Sequence, residues 1–187
     1  VSRKKKLIIS LWMLWDKLFY KFFHIQPIDK ENPLLCARVR TYRGKPIHLS
    51  DGEVIKKGDH ILELHLNNKI LFNMAIKCRS PLQLAVQMVR ATESSLRKTS
   101  TYIQNHPKYK QIKGLYGVSI IHRGAKRFGF NVINIPKGPF SFFVNRYLCL
   151  LLFVVHLQGK QRLQTKSELL VPKIIAISKK EFMQRNV

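Results

Sequence analysis

Acidic side chains are scarce in this chain. Ten Asp and Glu face thirty-four Lys and Arg across 187 residues, a formal net charge of +24 at pH 7. That imbalance sets up a positive potential over the whole molecule, which repels other copies and attracts polyanions. The partners it suits are an anionic membrane surface, a lipid-linked substrate, or nucleic acid. Cysteine is scarce as well. Cys36, Cys78 and Cys149 are widely spaced and form no C-x-x-C pair. An odd count without metal or disulfide spacing argues against zinc and against a secreted disulfide scaffold. Buried free thiols are the expectation, and no metal or cofactor is implied. Long apolar runs are missing too. The longest, Tyr147 to Leu157, is eleven residues, and Arg146 closes it off well short of the ~20 residues that span a bilayer. There is no internal repeat and no low-complexity tract. Apolar residues still make up 45% of the chain, enough for a core.

What is present begins with an aromatic N-terminal segment. Arg3, Lys4, Lys5 and Lys6 precede LIISLWMLWDKLFYKFFH. The opening imitates a signal peptide, but Asp16 and Lys17 end the apolar run and no small-x-small cleavage site follows. Ile8, Leu11, Trp12, Trp15, Leu18, Phe19, Phe22 and Phe23 fall at helical spacing. Residues 1–24 therefore read as an amphipathic helix, and residues 25–187 as a basic domain. Trp12, Trp15 and Phe19 with the flanking cations Arg3 to Lys6 suit a membrane interface. Such a stripe more often packs on the body of the domain as a first helix, and seating in a partner's groove is a third alternative.

The middle of the chain alternates. CARVRTY (36–42) has a period of two, and HILELHLN (60–67) is the clearest strand. In the latter, Leu62, Leu64 and Leu66 point one way, and Ile61, Glu63, His65 and Asn67 the other. A carboxylate, an imidazole and an amide in one row form a candidate ligand-binding or acid–base site, in which Glu63 would orient the His65 ring. A solvated sheet face is the bland alternative. NKILFNMAIK (68–77) reads as a short helix. A long helix follows from Pro81 to His106, with Leu82, Ala85, Val86, Val89, Leu96 and Ile103 on its apolar side.

The second half opens with IKGLYGVSII (112–121), a strand interrupted by Gly114 and Gly117. A lone G-x-x-G is too common to mark a phosphate cradle. Residues 122–128 read as helical turns closed by Gly129. Arg123, Lys126 and Arg127 make them the densest basic point inside the fold, and a candidate phosphate-binding position. A short strand (131–136), a second long helix (140–157), and a strand with a helical turn (173–182) complete the chain. The fold class is α+β: a single domain with a small mixed or antiparallel sheet, two long helices and an amphipathic N-terminal helix.

DGEVIKKGDHILELHLNN, LYGVSIIHRGAKRFGFNV and the opening LWMLWDKLFYKFF resemble the YkoP-like family of bacilli through most of the chain. That family is similar to a module found C-terminal to polysaccharide deacetylases, and it accompanies envelope glycosyltransferases. The resemblance implies cell-envelope work at the membrane face, with envelope enzymes as partners, but supplies no catalytic residue. The deacetylase metal motif is absent here, so that activity does not carry over. The leading expectation is a basic accessory protein, non-catalytic and peripheral on the cytoplasmic leaflet, that binds anionic lipid or phosphate groups. Nucleic-acid binding is the alternative, although no RRM, KH or zinc signature accompanies the charge. A small enzyme using Glu63 and His65 is the third reading.

Overall fold

A computed structural model describes residues 3–119, 122, 124–136, 138–139, 141–144, 146 and 171–186. The first element is helix α1 (Arg3–Phe22). His24 follows with φ 52, a left-handed turn that reverses the chain into the two-residue strand β1 (Gln26–Pro27). Strand β2 (Leu35–Thr41), a small hairpin of β3 (Ile47–His48) and β4 (Val54–Ile55), and strand β5 (His60–Leu66) come next. Helices α2 (Asn68–Lys77) and α3 (Pro81–Gln104) then cross over to β6 (Ile112–Ser119). A 3-10 turn at Ala125–Phe128 leads to β7 (Asn131–Asn134). The chain closes with β8 (Lys173–Ser178) and helix α4 (Lys179–Asn186). The arrangement is the α+β fold that the alternation predicts.

The main sheet runs β1-β2-β5-β6-β8-β7. Only β5 and β6 pair in parallel; the other neighbours are antiparallel. The parallel pair is possible because α2 and α3 supply the long crossover that parallel strands require. One sheet face carries Leu62, Leu64, Leu115 and Ile177 against Leu96 and Ile103 of α3 and Phe182 of α4. The other face has an apolar end, where Ile61, Tyr116, Ile174 and Ala176 meet Tyr42, Ile47 and Ile55 around the small hairpin. Burial pushes the Tyr116 phenol up to about 12, so it stays neutral. The rest of that face, towards β2, is polar and lies under α1.

Two expectations need correction here. Leu82 and Val86 are exposed, and with Ile76 they form an apolar tip where α2 meets α3. The helical period of α3 is regular, but only its second half reaches the sheet. Gly114 and Gly117 do not interrupt the strand expected over 112–121. Both lie inside β6, paired with β8. A Cβ on Gly114 would sit 2.6 Å from the Ile177 carbonyl oxygen and 3.0 Å from Ile55 Cδ1. A backbone oxygen in a central ladder cannot rotate away. Gly114→Ala should therefore destabilise the fold by about 2 kcal/mol despite the lower chain entropy of alanine. Urea unfolding measures this, and an unchanged or raised midpoint would show that the sheet absorbs the methyl group.

Cys36 is a buried free thiol whose pKa burial raises to about 11. Cys78 is free but only partly buried, and Cys149 lies outside the described residues. No helix among the described residues is long and apolar enough to cross a membrane. Helical backbone occurs at 139, 141–144 and 146, whereas the apolar tail of the expected 140–157 helix is outside the described residues.

Candidate functional site

The polar row of β5 does form a cluster, with partners supplied by β2. Register pairs Arg38 with Glu63 and Arg40 with Ile61, so both guanidiniums stand on the Glu63 face. Arg38 Nε donates to Glu63 Oε2 at 2.6 Å. Arg40 donates through Nε to Oε2 at 2.8 Å and through Nη2 to Oε1 at 3.0 Å. One carboxylate thus holds two guanidiniums in charge-assisted bonds. Burial works to raise the Glu63 pKa, but His65 and Arg40 outweigh it and hold the carboxyl well below its usual range. A carboxylate held that acidic makes a poor general base. His65 Nε2 is buried and makes no hydrogen bond; it lies 3.6 Å from Glu63 Oε2.

The cluster is roofed. Phe19 and Tyr20 of α1 lie beside the His65 ring at 6.3 and 6.4 Å between centroids. The Arg38 guanidinium sits 4.7 Å from the Phe23 ring, and Arg40 sits 5.5 Å from the Tyr116 ring. These cation–π contacts lower the cost of partly desolvating two like charges. The row is therefore an ion-pair layer between sheet and helix.

Asn67 leaves the row altogether. Its side chain accepts from the backbone N–H of Lys69 and Ile70 and caps α2. The signal was present in the sequence as Asn immediately before a helical run, the usual N-cap placement. Arg123 lies outside the described residues. Lys126 and Arg127 are exposed on the 3-10 turn, away from β5. Lys126 helps line a separate concavity of about 350 Å³ with His122, Val132, Asn134 and Lys173. None of these described lining residues is a carboxylate, so they make the field positive, which suits a phosphate. Among the described residues, no group of three or more His, Cys, Asp or Glu is placed to hold a metal ion.

The membrane-contact candidates divide between the two sides of α1. Trp12 is only 5% exposed and Phe19 turns inwards towards His65. Asp16 is buried and accepts 2.8 Å from Asn68 Nδ2, and the Tyr20 hydroxyl donates to the Leu66 carbonyl at 3.2 Å. Trp12, Asp16, Phe19 and Tyr20 thus form the inward stripe, which corrects the placing of Trp12 and Phe19 on a lipid face. Trp15 remains outside at 58% exposure, with Leu11, Leu14, Leu18 and Phe22. These five recur at three- and four-residue steps, so α1 carries a second, exposed apolar stripe. Arg3, Lys4, Lys5 and Lys6 form its first turn.

Comparison with known proteins agrees with this architecture in extent. The YkoP domain family matches residues 5–186. A relative from Bacillus subtilis (strain 168), named "Uncharacterized protein YkoP", is 30% identical over 137 residues, covering 73% of this chain and 74% of the relative. No solved structure matches. The chain belongs to the YkoP domain family.

Proposed function

We propose that this YkoP-domain protein is a basic accessory protein that docks peripherally on anionic membrane surfaces, with α1 lying in the interface. The outward stripe Leu11, Leu14, Trp15, Leu18 and Phe22 carries the reading. An indole and a phenyl ring exposed on one helix face are the side chains that partition to headgroup depth. Charge supports it. The first turn of α1 holds four consecutive basic residues and no acidic one. Cations at a helix N-terminus oppose the macrodipole, at a cost of about 0.3–1 kcal/mol each. An anionic surface reverses that penalty and adds ~1 kcal/mol per Lys or Arg. The basic concavity at Lys126 and Lys173 would then take a phosphate of the lipid or of a lipid-linked sugar. A cytoplasmic-leaflet, cell-envelope setting rests on the resemblance of this family to modules that accompany polysaccharide deacetylases.

Co-sedimentation tests the proposal. The full chain should bind vesicles containing phosphatidylglycerol and bind pure phosphatidylcholine far more weakly. Rising salt should weaken binding, since screening limits exposed charges to ~8 Å at physiological ionic strength. The apolar stripe should leave a salt-resistant remainder. Binding that salt abolishes completely, matched by equally tight binding to RNA, would favour the nucleic-acid reading that the +24 charge also permits.

A further inference from the structure

One concavity of the described structure has a character unlike the rest of this basic surface. It is an open cleft of about 630 Å³ between the β1 edge of the sheet and the C-terminal half of α3. That volume falls within the range of small-molecule sites. Gln26, Asp29, Lys98, Tyr102, Asn105 and His106 contribute to its walls. Its charges cancel internally. Lys98 Nζ donates to Asp29 Oδ2 at 2.5 Å, which lowers the Asp29 pKa and raises that of Lys98, so both stay ionised. The other Asp29 oxygen accepts from the Glu31 backbone N–H at 3.0 Å. Neither charge is left over for a ligand.

The remaining groups are neutral and available. Burial, then the nearby Lys108 charge, lowers the His106 pKa and favours the uncharged ring. Its Nδ1 accepts from the Lys108 backbone N–H at 3.1 Å, which leaves Nε2 to carry the proton as a donor. Burial raises the Tyr102 pKa, which keeps its hydroxyl protonated. The side chains of Gln26, Thr101, Tyr102 and Asn105 make no hydrogen bond to any described residue. The Tyr102 and His106 rings lie 5.9 Å apart and give the cleft an aromatic wall.

We propose that this cleft binds a neutral, polyhydroxylated ligand, a glycan segment whose hydroxyls meet Gln26, Thr101, Asn105 and the Tyr102 hydroxyl while a sugar face lies on the Tyr102–His106 wall. Competing chemistries fit less well. A phosphate needs an uncompensated cation, and Lys98 is compensated. A metal needs free carboxylate oxygens, and both oxygens of Asp29 are engaged. An apolar peptide side chain would meet Ile28, Pro107 and the ring wall, but would cover the unpaired amide and hydroxyl groups of Gln26, Thr101, Tyr102 and Asn105 without giving them partners. Amide and hydroxyl groups beside two aromatic rings, tilted 46° to each other, match a sugar, which presents hydroxyls at its edges and C–H groups on its faces. The inference goes beyond membrane docking, uses none of the α1 stripe, and stands or falls independently of it.

An NMR titration of the full-length protein, without lipid, decides it. Cellotetraose and chitotetraose are the probes, with inorganic phosphate in parallel. At least one tetrasaccharide should shift the amides of Gln26 and Ile28, those of 101–106, and the Asn105 side-chain amide. Asn105→Ala and Tyr102→Phe each remove one uncharged hydrogen bond and should each weaken binding roughly fivefold. Asn105 is exposed with ordinary right-handed backbone at the α3 C-cap, so alanine there keeps the fold. Absence of shifts in the wild-type cleft with either sugar up to about 10 mM, well above a millimolar Kd, would overturn the proposal. Shifts confined to other surfaces would overturn it, as would phosphate acting on the cleft as strongly as the sugars.

Discussion

Glu63→Ala should cost the fold about 3 kcal/mol. That is the low end for removing one partner of a buried ion pair, because Arg38 and Arg40 keep 19% and 28% of their side-chain surface in water. The carboxylate itself is only 12% exposed and is the acceptor for both guanidiniums. Without it, two like charges face one another between the sheet and α1. Urea unfolding of the variant should show the loss. The pH dependence has a definite sign. The folded Glu63 pKa is depressed well below its ordinary value of 4.5. Its contribution is therefore present in full above that value and is lost as pH falls through the folded pKa. The gap between wild type and variant should be constant near neutrality and narrow in strong acid. A gap that is absent at pH 7, or that widens in acid, would mean that the cluster does not stabilise the fold.

Removing Trp15 and Phe22 together should reduce partitioning onto anionic vesicles roughly a hundredfold, about 3 kcal/mol, from the apolar area they would bury in lipid. Both face outwards, at 58% and 77% exposure, so the Trp15→Ser, Phe22→Ser variant should unfold at nearly the wild-type urea concentration. Trp12→Ser is the contrasting control. That residue is 5% exposed, and its loss should lower stability by a few kcal/mol, about the cost of truncating a buried aromatic. If the double variant binds vesicles as tightly as wild type, the outward stripe is not the docking face, and membrane attachment through α1 is wrong.

Much of the framework was legible in local patterns. His60–Leu66 alternates cleanly, and its two faces separate in space as the period of two requires. The 68–77 helix and the Pro81 start of α3 match their sequence signals, because capping and first-turn chemistry are local. Asn67 is the instructive case. As a strand residue it belongs to the polar row; as the residue before a helix it is a cap. The cap prevails because its side chain satisfies two backbone N–H groups that the helix cannot pair internally. The glycines of β6 were harder. Their role depends on carbonyls of neighbouring strands, that of Ile177 in β8 at Gly114 and that of Leu64 in β5 at Gly117, sixty-three and fifty-three residues away in the chain.

The amino-acid sequence by itself determined that this is a strongly basic α+β chain with a helix of aromatic residues behind a basic cluster. It did not determine which side of that helix faces the fold. Two stripes, one through Trp12, Asp16 and Tyr20 and one through Leu11, Trp15 and Leu18, share the same helical period. The more uniformly apolar of them lies outside. The inward choice was decided by polar atoms that find partners only in three dimensions: Asp16 with Asn68, fifty-two residues away, and Tyr20 with the Leu66 carbonyl, forty-six residues away. Periodicity sets how a helix divides into faces, but the hydrogen-bond partners that fix one face against the sheet lie far along the chain. Tertiary contacts alone therefore left Trp15 and Phe22 exposed.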